Sequence, residues 1–170
     1  MIQKLIAFFT SVIMFFFAGP FSGGLTPAQA RIAANDPYAV AGYGITAQLL
    51  KERYDIGHHK MRDTPDSDGM PFVWPAASFI ETMADAYRLF PKNVRLKLDY
   101  CDALSNTLDR YLVEDAQIAA SDGIVSGVSF YNSVAGNRDS YYYDDNEWVC
   151  IQLLLGYRQL GKADFLKAAQ

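Results

Sequence analysis

From Asp145 to Leu160 the chain reads Asp-Asn-Glu-Trp-Val-Cys-Ile-Gln-Leu-Leu-Leu-Gly-Tyr-Arg-Gln-Leu. This run most constrains what the chain can fold into. Wound as a helix, it places Trp148, Val149, Cys150, Ile151, Leu153, Leu154, Leu155 and Tyr157 around most of its circumference. A helix that is apolar on most sides is one that its neighbours bury all round. Gly161 offers a C-cap, and Asp164 to Gln170 begins another helix. The rest of the chain must therefore supply walls for this segment.

Those walls read as helical. Asp36-Pro37 has the form of a cap followed by a first-turn proline, and Val40, Ile45, Leu49 and Leu50 share a broad face through to about Tyr54. Asp55 to Gly69 is a polar loop. Its adjacent His58 and His59 would not share a helix face and make a poor chelating pair. Thr64 to Gly69 reads as an ordinary turn, since Pro75 stands where a calcium loop needs its glutamate. Val73-Trp74-Pro75 leads into a helix ending near Phe90-Pro91, with Ala76, Ile80, Met83, Ala84 and Tyr87 as its buried face. Trp74 sits at its entrance, to pack as core or helix lid or to line a cleft. Lys92 to Glu114 reads as the partner helix, with Val94, Leu98, Cys101, Leu104, Leu108 and Leu112 in phase. Ala116 to Asp139, with glycines at 123, 127 and 136, reads as a short hairpin or irregular loop, in which Asp122 and Asn132 are solvated turn residues or hydroxyl ligands.

A weak repeat links two of these segments. Tyr87-Arg88-Leu89-Phe90-Pro91-Lys92 aligns with Tyr157-Arg158-Gln159-Leu160-Gly161-Lys162, each copy being the turn between two helices. Repeated hairpins around a buried helix predict an all-α fold in two concentric layers, an α/α toroid or a helical solenoid.

The 170 residues suffice for one domain, and 51% hydrophobic residues mark a chain that folds. A formal net charge of −4 without a basic stripe excludes nucleic acid as the expected partner. Cys101 and Cys150 do not make a disulfide framework; Cys101 falls on an apolar face and reads as a buried thiol, a bridge being the alternative. Residues 1–30 have a basic start, an apolar stretch from Leu5 to Phe21 and a small-x-small site at Ala28-Gln29-Ala30. They read as a secretory signal peptide, an uncleaved anchor being the alternative. The mature domain then spans 31–170, with no stable membrane insertion after cleavage.

Immediately before the long helix stands Tyr141-Tyr142-Tyr143-Asp144-Asp145-Asn146-Glu147-Trp148. Asp144 and Glu147 have capping-box spacing. Capping does not require Asp145, nor does it account for the aromatic neighbours. Paired carboxylates suit glycosidic chemistry, where one acid protonates the leaving oxygen and another carboxylate supports the developing cation. Rings beside them suit the C–H faces of a sugar.

Together with Leu153-Leu154-Leu155-Gly156-Tyr157-Arg158, Phe165-Leu166-Lys167-Ala168-Ala169, Trp74-Pro75 and Ala84-Asp85-Ala86-Tyr87-Arg88, this motif resembles glycoside hydrolase family 76, over most of residues 37–170. The family contains endo-α-1,6-mannanases and related cell-wall transglycosidases. The resemblance implies an (α/α)6 barrel of roughly twice this mature length, so that this chain would be its N-terminal helical hairpins, an incomplete barrel, and activity is expected of the longer parent enzyme rather than of this chain alone. It implies Asp144 as nucleophile and Asp145 as general acid/base of a retaining enzyme on α-mannan or mannose-containing oligosaccharides. Tyr142, Tyr143 and Trp148 are then expected to form the sugar platform and Asn146 to bind a hydroxyl or help the helix start. No cofactor or metal is expected, and the location is secreted or cell-envelope associated. Another α/α-toroid carbohydrate hydrolase and a non-catalytic carbohydrate-binding helical module are the alternatives. N-terminal sequencing of exported material is expected to begin at Arg31; a membrane fraction retaining Met1 would show the anchor instead.

Overall fold

A computed structural model describes residues 35–120 and 123–170. The expected signal peptide, and Asp122, lie outside the described residues.

The first helix, α1 (Pro37–Arg53), starts as its local chemistry predicts. The Asp36 carboxylate accepts from the backbone N–H of Tyr38 at 2.8 Å and of Ala39 at 3.4 Å, pairing donors that the first turn leaves open. Its predicted apolar face is only partly used. Leu49 and Leu50 pack against the core, whereas Val40 and Ile45 are exposed and Thr46 is the buried residue. The Thr46 hydroxyl is satisfied within the helix, donating to Gly42 O at 3.0 Å.

The polar loop that follows opens with a small antiparallel pair, β1 (Tyr54–Asp55) and β2 (Lys60–Met61). Asp55 organises it. Its carboxylate accepts from the backbone of Gly57 and His58 and from Arg62 at 2.6 Å. The Arg62 hydrogen bond, and then that of His58, hold the Asp55 carboxyl well below the usual carboxylate range. Met61 points inward and ties the pair to the core.

The central element is α2 (Val73–Leu89). Ala76, Ile80, Met83 and Ala84 are fully buried at the predicted spacing. The turn after it leads to α3 (Val94–Asp102), where the Asn93 side chain accepts from Leu96 N. The expected long partner helix does not continue. It widens into a π-helical turn at Ala103–Thr107 and tightens to a 3-10 turn at Leu108–Tyr111. Its inward face also differs from the expected one. Val94 and Leu98 are exposed, and Leu96, Tyr100, Ala103, Leu104, Leu108 and Tyr111 are buried. Leu104 and Leu108 face inward as expected, and two tyrosines, which an aliphatic pattern passes over, complete the stripe. The Tyr111 hydroxyl donates to Pro71 O at 2.8 Å, so its polar end costs little to bury.

At Leu112 the backbone turns extended, and β3 (Leu112–Ala120) pairs antiparallel with β4 (Gly123–Tyr131). The register runs from Leu112 opposite Tyr131 to Ala120 opposite Gly123, with irregularities around Ala116. This hairpin corrects the expected fold class. The fold is mixed α/β with small antiparallel sheets, neither all-α nor a closed α/α toroid, and the incomplete (α/α)6 barrel is not what the chain forms. The physical reason lies in the segment itself. Gly123 adopts φ 140°, closed to other residues. The stretch that follows holds Ile124, Val128, Phe130 and Tyr131, β-branched and aromatic residues that fit a pleated surface better than a helix.

The last elements are α4 (Tyr143–Leu160) and α5 (Ala163–Ala168). α4 packs on α2 and α5 through Val149, Gln152, Leu153 and Gly156. Close approach there is enforced: a Cβ on Gly156 would strike the Leu104 side chain and lie 3.2 Å from Phe165. The expectation that α4 is buried all round is corrected as well. Trp148, Ile151, Leu154 and Tyr157, at i+3 spacing, form an exposed stripe. The two repeated segments do close equivalent helix–turn–helix units, α2 to α3 and α4 to α5. Gly161 ends α4 in the left-handed conformation, φ 72°. Gly161→Ala is expected to destabilise the fold by about 1 kcal/mol, the cost of a Cβ in that region, measured as a lower urea midpoint at unchanged slope.

Candidate functional site

The site is built where α4 begins. Tyr142 is still extended (φ −130°, ψ 152°) and no side chain caps the helix after it. The helix thus starts ahead of the position that a capping box from Asp144 to Glu147 requires, and Asp144 and Asp145 both lie in the first turn. The unpaired N–H groups of that turn make it a favourable place for negative charge. Asp144 is not a cap, so its carboxylate is not spent on the backbone.

The two acids sit in unlike surroundings. Asp144 is exposed, whereas Asp145 is 6% exposed. The Ser133 hydroxyl donates to Asp145 Oδ2 in a buried hydrogen bond. Ser133 is itself fixed at both backbone groups: its N–H donates to Ser140 O at 2.7 Å and its carbonyl accepts from Val73 N at 2.9 Å. Next to it, Asn132 donates its N–H to Tyr111 O at 2.7 Å and accepts from Val134 N through Oδ1 at 3.0 Å. Asn132 is fully buried, with its Nδ2 unpartnered, so it is not the solvated turn residue that the sequence implied. Val134 forms a single antiparallel bridge with Phe72. Residues 132–134 thereby run from the end of β4 to the starts of both α2 and α4.

Asn146 closes the arrangement. Its Oδ1 accepts from Tyr131 N at 2.7 Å, and its Nδ2 donates to Tyr131 O at 2.9 Å and Tyr142 O at 2.8 Å. Both ends of the amide are thus engaged by the chain itself. The Tyr131 phenol is buried, and burial pushes it up to about 12, so it stays protonated at ordinary pH.

The rings named from sequence lie around the acids on the surface. Tyr142 is exposed, Tyr143 is 88% exposed, and Trp148 is 38% exposed at the head of the open stripe on α4. Tyr141 rests on Phe130, with ring centroids 4.6 Å apart. Trp74 is 56% exposed, which corrects its reading as core packing. It stands beside Val73, whose N–H holds Ser133, and Phe72 on the other side is exposed too. Sequence reasoning missed Ser133 and Phe72. A hydroxyl twelve residues before its carboxylate partner leaves no periodic sign. Phe72 had one signal, its place directly ahead of the Val73-Trp74-Pro75 helix start.

No group of three or more His, Cys, Asp or Glu side chains placed to hold a metal ion occurs among the described residues. His58 and His59 each face a separate carboxylate, Asp55 at 3.0 Å and Asp102 at 2.8 Å. A solvent-open cleft of about 620 Å³ lies between the start of β3 and the turn at Gly136–Arg138, lined by Asp109, Glu114 and Asp115 among others. Asp144 and Asp145 do not line it.

Compared with known proteins, the chain matches no family model, no characterised protein and no solved structure.

Removing the Asn146 amide strips hydrogen bonds from both backbone groups of Tyr131. Asn146→Ala is expected to cost about 2–3 kcal/mol, since each lost bond is worth roughly 1 and a part-buried group is left unpaired. Urea unfolding measures the loss, and amide exchange at Tyr131 should quicken selectively.

Proposed function

We propose that this protein is a retaining glycoside hydrolase that cleaves α-1,6-mannosidic linkages, with Asp144 as nucleophile and Asp145 as general acid/base. The observation that carries the reading is the pair itself: adjacent carboxylates at the start of α4, one open to solvent and one held on Ser133, among exposed aromatic rings. Neighbouring acids in unlike environments suit a reaction that asks different things of each. The linkage and the assignment of roles rest on the resemblance to glycoside hydrolase family 76.

In this reading the Asp144 carboxylate attacks the anomeric carbon while Asp145 gives a proton to the leaving oxygen. Water then releases the mannosyl ester, with Asp145 taking its proton. Tyr142, Tyr143 and Trp148 bind the sugar faces. Asn146 serves the site by fixing the first turn of α4 against β4. The reaction asks for no metal or cofactor. The segment at residues 1–30 supports export, which would put the protein beside cell-wall or environmental mannan.

The burial of Asp145 favours a second reading, carbohydrate binding without turnover. Incubation with α-1,6-mannan oligosaccharides separates the two. The enzyme reading expects new reducing ends whose anomeric configuration, followed by proton NMR, is retained. It expects Asp144→Asn and Asp145→Asn each to lower the rate by at least about a hundredfold. Calorimetric binding without release of product would establish the binding module, and inverted product would refute the mechanism.

A further inference from the structure

Resting on that reading, we propose that Ser133 is the positioning residue of Asp145 and decides which of its carboxyl oxygens exchanges a proton with the glycosidic oxygen. The serine is held at both of its backbone groups. Its backbone is tied to Ser140 on one side and to Val73, at the start of α2, on the other. The hydroxyl therefore projects from a fixed point. Asp145 is fixed in turn, because the neighbouring Asn146 locks the first turn of α4 to Tyr131. Between two anchored residues, the Ser133 hydroxyl donates to Asp145 Oδ2.

An oxygen that accepts this hydrogen bond is the one that the proton leaves free. The acidic proton then belongs to Oδ1, since the side-chain hydrogen bond that holds Asp145 among the described residues falls on Oδ2. In the first step the Oδ1 proton passes to the glycosidic oxygen. The bond from that oxygen to the anomeric carbon breaks, its electron pair goes to the leaving oxygen, and an Asp144 oxygen bonds to the carbon. Asp145 is left as a carboxylate with Oδ2 still held by Ser133. In the second step a water oxygen bonds to the anomeric carbon, and its proton goes to Asp145 Oδ1. The ester bond breaks with its electrons returning to Asp144. Without the serine hydroxyl, the carboxyl can rotate and spread its proton over two oxygens, one of them facing the protein. A misoriented acid loses rate even when its chemistry is intact.

The test uses the full chain and two substrates: an α-1,6-linked mannotriose, whose leaving group needs protonation, and a dinitrophenyl α-mannoside, whose leaving group does not. Ser133→Ala and Ser133→Cys are expected to slow the trisaccharide at least about tenfold more than the aryl glycoside, the scale of a lost hydrogen bond to a charged group. Ser133→Thr, which keeps the hydroxyl, is expected to restore most of the difference. The Asp145 carboxyl carbon resonance, assigned through its loss in Asp145→Asn and read at fixed pH, is expected to move in Ser133→Ala and return in Ser133→Thr. Equal slowing of both substrates by the alanine and cysteine variants, or an unmoved resonance, with an active wild type overturns the role of Ser133 alone. A wild-type chain inert on both substrates overturns the glycosidase reading and this role with it.

Discussion

The grip of the Asn146 amide on Tyr131 is the interaction on which the rest of the structure depends. It joins the last residue of the β3–β4 hairpin to the first turn of α4 through a donor and an acceptor at once. Two hydrogen bonds in fixed geometry set both the distance and the rotation between strand and helix. From that junction the chain from Asn132 to Val134 is laid down between α2 and α4, where Ser133 meets Asp145 and Val73. Among the described residues, the buried side chains of the hairpin are those of its base, Val113, Phe130 and Tyr131. Its contribution to the molecule is therefore concentrated where it leaves the sheet and enters the core.

Around that junction the core is thin-walled and specific. Small residues on α2, Ala76, Ala77 and Ala84, let neighbouring elements come close, and Gly156 does the same for α4 against Leu104 and Phe165. Interiors packed this closely have no slack for an added methyl group. Tyr100 and Tyr111 then fill the larger spaces, with their ring burial dominating and the Tyr111 hydroxyl satisfied by Pro71.

Features decided by a few neighbouring residues were legible in the sequence. The Asp36–Pro37 start of α1, the buried spacing of α2 and the left-handed end of α4 at Gly161 each follow from local backbone chemistry. Features decided by tertiary partners were not. On the inward face after Val94, Leu104 and Leu108 were legible from aliphatic spacing, whereas Tyr100 and Tyr111 are brought inward by packing against α2. A hairpin is among the readings of the chain from Ala116 onward, but its first strand begins earlier, at Leu112, inside a segment that has helical spacing, because spacing is silent about which backbone the partner strand will stabilise. Apolar residues around α4 showed what could be buried, and the open stripe from Trp148 to Tyr157 shows that not all of it is. At the site, the acids and rings stood out as a motif. Ser133 and the burial of Asn132 did not, since both depend on where β4 delivers the chain.

The separate settings of the two acids follow from where the helix begins. Successive residues of an α-helix point about 100° apart around its axis. Adjacent aspartates inside a helical turn therefore cannot share one environment on a helix with one face buried. Had Asp144 been the cap residue, its side chain would have folded back to accept from the first-turn N–H groups, and only Asp145 would have projected from the helix. With the extended residue at Tyr142 instead, both acids are helical and neither caps. One direction then leads to Ser133 and the interior, the other to solvent. The helix start, set by the Asn146 junction, is what turns a pair of identical side chains into two chemically distinct groups.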